Sequence, residues 1–231
     1  MIKKFLYTIL ITPVFLFSQV PLTQGTIATD YLRQVPQWST VVTERFDNGK
    51  DKVIIVYDNS DKENIKPFKK LCLYENGQPR EETSLTTVDR ESKGCEIWGD
   101  SVVPHGLSVL FWESGQVERM ASFTEGVLHG ESKTYHQNGK VKSTSTFQQG
   151  KLEGKVFIFY EDGVVASEAK FVDGEMEEEA LSNFESGARK TSTVYKKGKI
   201  QGKMIEWYEN GNEKAVRMYK DGLLHSTDED P

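Results

Sequence analysis

From His105 to Leu224 the apolar, aromatic and glycine positions recur every 24 residues without a gap. The units are 105–128, 129–152, 153–176, 177–200 and 201–224. Position 11 of the unit is Gly in all five (Gly115, Gly139, Gly163, Gly187, Gly211). Position 22 is Gly again (Gly126, Gly150, Gly174, Gly198, Gly222). Position 19 is always aromatic (Phe123, Phe147, Phe171, Tyr195, Tyr219), and position 24 is always apolar (Leu128, Leu152, Met176, Ile200, Leu224). Four columns filled in every unit define an internal repeat, the first feature to settle in any chain.

Each unit predicts a β-hairpin. The first Gly closes a dipeptide such as Asn138-Gly139 or Asp162-Gly163, a strong signal for a two-residue type I′ turn. The second Gly turns the chain toward the next unit. With positions 10 and 11 as the loop, position 9 faces 12, 8 faces 13, and position 2 faces 19. Position 2 is Gly in four units (Gly106, Gly130, Gly154, Gly202), which predicts a ring lying across bare backbone. Upstream the pattern persists in degenerate form near 39–62 (Gly49, Tyr57) and 67–90 (Gly77), and residues 91–104 break the register. The predicted fold is all-β: an elongated antiparallel meander of stacked hairpins. Its organisation is degenerate hairpins over 25–104, five good repeats over 105–224, and an acidic tail over 225–231. About fourteen strands at roughly 4.8 Å spacing give a sheet about 65 Å long.

Alternation assigns positions 2, 4, 6, 8, 13, 15, 17 and 19 to one face, which carries the position-8 and position-19 rings and many small residues and is expected to be the packed one. The other face carries positions 5 and 7. Its apolar members, Val109, Phe111, Tyr135, Phe157, Phe159, Leu181, Ile205 and Trp207, are flanked by charged position-14 residues such as Lys142, Lys190 and Lys214. A row of rings on the second face of a thin sheet is either packing forced by twist or a partner-binding surface.

The spacing "HG…Y…NGK…F..GKLEG" resembles the variant type of MORN repeat and the bacterial YwqK-type proteins built from such repeats. The resemblance covers 105–224 well and 39–90 weakly, and the chain departs from it at Glu178, where Gly is expected. It implies an elongated single-layer sheet that binds proteins or lipid, and for the YwqK-type proteins an antitoxin role.

Composition narrows the function classes. Charged residues make up 28% and hydrophobic ones 37%, which suits little interior and much surface, while 11% aromatic is too high for disorder. The net charge of −6 comes without any Lys/Arg block, so nucleic acid is not an expected partner. Residues 1–24 read as a secretory leader: Lys3 and Lys4, then an apolar run from Phe5 to Phe17, with cleavage expected between Ser18 and Gly25. An uncleaved anchor is the alternative. In an exported chain Cys72 and Cys95 are a candidate disulfide, with two packed thiols as the other reading.

No reaction is legible. The sequence contains no GxSxG, HExxH or phosphate loop. His105 and His129 share position 1 of successive units, roughly 10 Å apart, too far to share a zinc ion; they are read as turn residues. No metal and no cofactor is expected. The function expected from the sequence is an exported, non-enzymatic scaffold that binds a protein or peptide, in the envelope or outside the cell. Two alternatives are an antitoxin or immunity protein that neutralises a toxin, and lipid-headgroup binding. The last lacks the basic stripe that anionic lipid requires.

Overall fold

The computed structural model describes residues 37–229. The expected leader over 1–24, and the residues that follow it up to 36, lie outside the described residues. The degenerate hairpins are β1 (Trp38–Arg45) with β2 (Asp51–Asp58), and β3 (Lys66–Leu73) with β4 (Pro79–Thr87). A helix α1 (Lys93–Trp98) follows. The five repeats then supply β5 (Val102–Phe111), β6 (Val117–Thr124), β7 (Val127–Tyr135), β8 (Val141–Gln148), the two-residue β9 (Lys151–Leu152), β10 (Gly154–Phe159), β11 (Val165–Val172), β12 (Glu175–Asn183), β13 (Arg189–Lys196), β14 (Lys199–Trp207) and β15 (Glu213–Lys220). β16 (Leu223–Glu229) closes the series, so most of the expected acidic tail is a strand. All sixteen described strands form one antiparallel sheet in chain order, with β9 off the path beside β8. The fifteen strands of the path give fourteen steps, or roughly 67 Å at about 4.8 Å per step. The all-β open meander is as the sequence predicts.

The cross-strand register also follows the prediction through most of each hairpin: Gly106 faces Phe123, Gly130 faces Phe147, Gly154 faces Phe171 and Gly202 faces Tyr219. The turns differ. At the first Gly the amide of position 8 donates to the carbonyl of position 12, and the Gly amide donates back to position 8, as in Tyr160 with Val164 and Gly163. This is a three-residue loop with one left-handed residue, a recognised hairpin closure. The extra loop residue is compensated by a bulge: Phe159 pairs with Val165 while Ile158 pairs with Ser167, so Ala166 is skipped. Position 14 is skipped in the same way in every hairpin, at Glu118, Lys142, Lys190 and Lys214. Position 13 therefore joins the position-7 face, which corrects its assignment to the other. The type I′ turns lie at the second Gly, where both central residues have positive φ, as at Gln149 (50°) and Gly150 (85°).

Position 2 is a second bulge. Phe123 pairs with Leu128 and Ala121 with Ser132, so one residue opposes three, His129, Gly130 and Glu131. The bulge places position 2 at positive φ in all five units, including Glu178 at 66°. A Cβ at Gly154 or Gly202 would meet nothing within 4 Å. The glycine is there for backbone conformation, and not to make room for the facing ring as the sequence suggested. Glu178→Gly should accordingly be neutral or stabilising, by up to about 1 kcal/mol, because a left-handed non-glycine residue costs about 1–2 kcal/mol. Glu179→Gly next to it removes a strand residue whose carboxylate accepts from the buried Ser192 hydroxyl, and should destabilise by about 1 kcal/mol or more. Urea unfolding of both variants checks this; effects of the same sign would count against a strained Glu178.

The 14-residue interruption is an insertion into a turn. Thr87 pairs with Val102, so the extra chain is 88–101 and the repeat frame resumes three residues before the predicted boundary. A turn is the one place in a meander where added chain leaves every ladder intact. The insert folds as α1, capped by Ser92, whose side chain accepts from the Cys95 amide, and ended by Gly99 at φ 67°.

The apolar core also lies where the sequence did not place it. Ile54, Val56, Leu71 and Leu73 form a buried cluster, with Trp38, Val42 and Phe68 packed against it. Leu71 occupies position 5 and Leu73 position 7 of their hairpin, so the core sits on the 5/7 face at the N-terminal end of the sheet. The face expected to be packed buries small side chains instead, among them Thr83, Ser108, Ala121 and Ala215.

Candidate protein-binding face

The position-5 and position-16 residues pair strand after strand: Val109 with Met120, Met120 with Lys133, Lys133 with Thr144, and Thr144 with Phe157. The row continues from Phe157 to Glu168, Leu181, Ser192, Ile205 and Val216. Directly paired residues share a face. Phe111, Tyr135, Phe159 and Trp207 lie two residues further along the same strands, so all eight predicted residues share one face. Val109 is buried and the other seven are half-buried.

The row is not uniformly apolar. The Phe157 and Phe159 rings stack at 6.2 Å. Lys155 lies 5.8 Å from the Phe157 ring and pairs with Glu168. The Arg189 guanidinium lies 6.0 Å from the Trp207 ring. The Tyr135 hydroxyl donates to Met120 Sδ at 3.6 Å. Such cation–ring contacts hold rings upright while leaving the cation in water. Sequence reasoning missed Met120, Val117, Val141, Val165 and Val216 as members of this face. Met120 and Val216 follow from the register alone, whereas the position-13 valines depend on the bulge, which has no single residue type as its signal.

Two ladders at the sheet's long edges hold the repeats in line. Position 1 accepts from the first amide of its own unit's type I′ turn: His105 Nδ1 from Glu125 at 3.2 Å, His129 Nδ1 from Gln149 at 3.5 Å, Glu153 from Asp173 at 2.9 Å, Glu177 from Lys197 at 3.0 Å and Gln201 from Asp221 at 2.6 Å. The two histidines are therefore acceptors at a turn. At the other edge position 8 reaches the position-7 carbonyl of the next hairpin: Tyr74 to Phe111 at 2.8 Å, His136 to Phe159 at 2.9 Å and Tyr160 to Asn183 at 2.7 Å. Trp112 stands in the same column, and its buried Nε1 has no partner among the described residues.

The two cysteines are free. Cys72 is buried in β3, one strand end away from the Glu75–Gly77 loop, and its Sγ lies 3.5 Å from Glu81 Oε2. Burial first, and then the Glu81 carboxylate, push its thiol above the usual range. Cys95 sits on α1, which packs at the type I′ turns at the opposite end of the strands. The expected bridge is not formed because the insert folds back over the wrong edge of the sheet.

The repeat geometry and the sequence columns point to one known pattern. Residues 128–149 and 152–173 match the MORN repeat variant. The two matched stretches are the second and third of the five repeats, β7–β8 and β9–β11. Together with the 24-residue period, these two matched stretches make the chain a repeat protein. No curated protein matches the chain. Among solved structures it is similar to a TcdB2–TccC3–Cdc42 complex at 9% identity, TM-score 0.20, over 78% of this chain and 10% of that chain. It is also similar to a porin-like protein from Bacteroides uniformis at 10% identity, TM-score 0.20, over 82% of this chain and 92% of that one. The chain spans about a tenth of the length of the first two structures matched.

Proposed function

We propose that this is an exported, non-enzymatic scaffold that binds a protein or peptide along the 5/7 face of its MORN-variant repeats. The observation that carries the reading is the set of half-buried apolar side chains, Phe111, Tyr135, Phe157, Phe159, Leu181, Ile205 and Trp207, on one face of a sheet of which every described strand is a member. No second described layer lies over that face; the described helix packs at a turn edge, against β5, β7 and Phe123 of β6. Rings held half-exposed at fixed spacing offer a partner large contact area at little entropic cost. Export rests on the leader-like residues 1–24, and N-terminal sequencing of protein recovered from the envelope should begin between Ser18 and Gly25.

The binding test is the double change Phe159→Ala with Trp207→Ala. A ring that is an interface hot spot costs about 2 kcal/mol or more when truncated, so capture of the partner from an envelope extract should be lost by variant protein that circular dichroism shows to be folded, with stability lowered only by the cost of truncating two half-buried rings. A destabilised variant that still captures its partner when folded would move the site off this face. A captured toxin would identify the scaffold as an immunity protein.

A further inference from the structure

The insert α1 builds a second surface, independent of the 5/7 face. Its fixation is unusually close. Gly94 packs so tightly on the next repeat that a Cβ there would lie 2.0 Å from the Glu125 carbonyl oxygen. Trp98 Nε1 donates to the Gly126 carbonyl at 2.8 Å, and its ring meets Phe123 edge-on at 6.2 Å. Lys93 Nζ donates to the Gln149 carbonyl at 3.1 Å, in the turn one repeat further on. A six-residue helix with three separate anchors is pre-organised before any partner arrives.

Held this way, the helix leaves apolar surface in water. Ile97 is 56% exposed and Trp98 46%. They form one wall of a groove of about 440 Å³, whose floor is Phe123, Val127 and Leu128. The groove's charged lining residues are Lys93 and Lys151, and no carboxylate lines it. That is the reverse of the chain as a whole, which carries a net charge of −6. Among the described residues Lys151 pairs with Asp173 at 2.7 Å, an exposed pair whose partner is replaceable.

We propose that this groove docks an acidic, apolar peptide segment of a partner protein: its apolar side chains lie on Ile97, Trp98 and Leu128, and its carboxylates meet Lys93 and Lys151. Burial of the two exposed side chains supplies the attraction. The two ammonium groups set the sign of charge accepted, since like charges brought together across an interface are costly.

The test titrates the full mature chain with a fluorescently labelled peptide, acetyl-Glu-Leu-Phe-Glu-Leu-Glu-amide, and with the same peptide carrying Lys at the three Glu positions. The acidic peptide should bind saturably and at least tenfold more tightly than the basic one. Ile97→Glu and Lys151→Glu change exposed side chains, so both variants should keep the wild-type circular dichroism and melting temperature while losing tenfold or more in affinity. Phe159→Ala with Trp207→Ala should leave this binding unchanged, which separates it from the sheet-face site. Absence of saturable binding up to millimolar peptide, equal affinity for the two peptides, or indifference to both groove variants overturns the proposal.

Discussion

Leu71→Ala should lower the unfolding free energy by about 3 kcal/mol, within the range found when a large buried aliphatic side chain is truncated and its site relaxes only partly. Leu71 is 1% exposed and packs in the cluster of Ile54, Val56 and Leu73. Leu181→Ala is the informative partner, because Leu181 fills the same position 5 in a later hairpin. Leu181 is only half-buried, so its truncation forfeits less transfer energy and leaves no closed cavity; about 1 kcal/mol is expected. The contrast separates the repeat column from the core. If stability were spread evenly along the array, as nearest-neighbour repeats would have it, the two costs would agree. Guanidinium unfolding followed by far-ultraviolet circular dichroism measures both, and equal midpoints would show that the N-terminal cluster is not the stabilising centre.

Gly126→Ala should cost about 3 kcal/mol, while Gly198→Ala, in the same column three repeats away, should cost about 1–2 kcal/mol. Both glycines hold positive φ, 82° and 70°, so both variants carry the left-handed penalty of about 1–2 kcal/mol. The added cost at Gly126 is steric. A Cβ there would lie 2.8 Å from Gly94 Cα, 3.0 Å from Val103 Cβ and 3.1 Å from Trp98 Cδ1, whereas at Gly198 it meets only Glu175 Cβ at 3.9 Å. Overpacking against backbone typically adds 1–3 kcal/mol. Thermal unfolding of the two variants tests whether α1 is seated as described; equal losses would mean that the helix yields and that the groove is not pre-formed.

Much of this protein was legible in the sequence because its physics is periodic. A turn glycine every 24 residues, an aromatic at position 19 and an apolar residue at position 24 specify hairpins, their order and their pairing, since successive hairpins in a meander are neighbours both in sequence and in space. The pairing of Gly130 with Phe147 needed nothing beyond that pattern. The eight residues of the proposed binding face were legible for the same reason: positions 5 and 7 of a strand share a face whatever surrounds them.

The tertiary structure decided the rest. Asn-Gly reads as a two-residue turn, yet Asn138-Gly139 closes a three-residue loop, because the bulge at position 14 restores the register and the column cannot tell the two solutions apart. Glu178 takes a glycine's conformation because the bulge repeats in register on both sides of it. The seat of the core depended on which hairpins carried their larger apolar residues on one face, Ile54 against Leu71, and strand alternation weighs both faces equally. The path of the insert was set by contacts distant in sequence: Gly94 against Glu125, Trp98 to Gly126, and Lys93 to Gln149. Those contacts carried Cys95 to the turn edge and kept it from Cys72. Local periodicity fixes a meander because each strand needs only its neighbours; the insert, the core and the turn chemistry depend on packing between residues that no period relates.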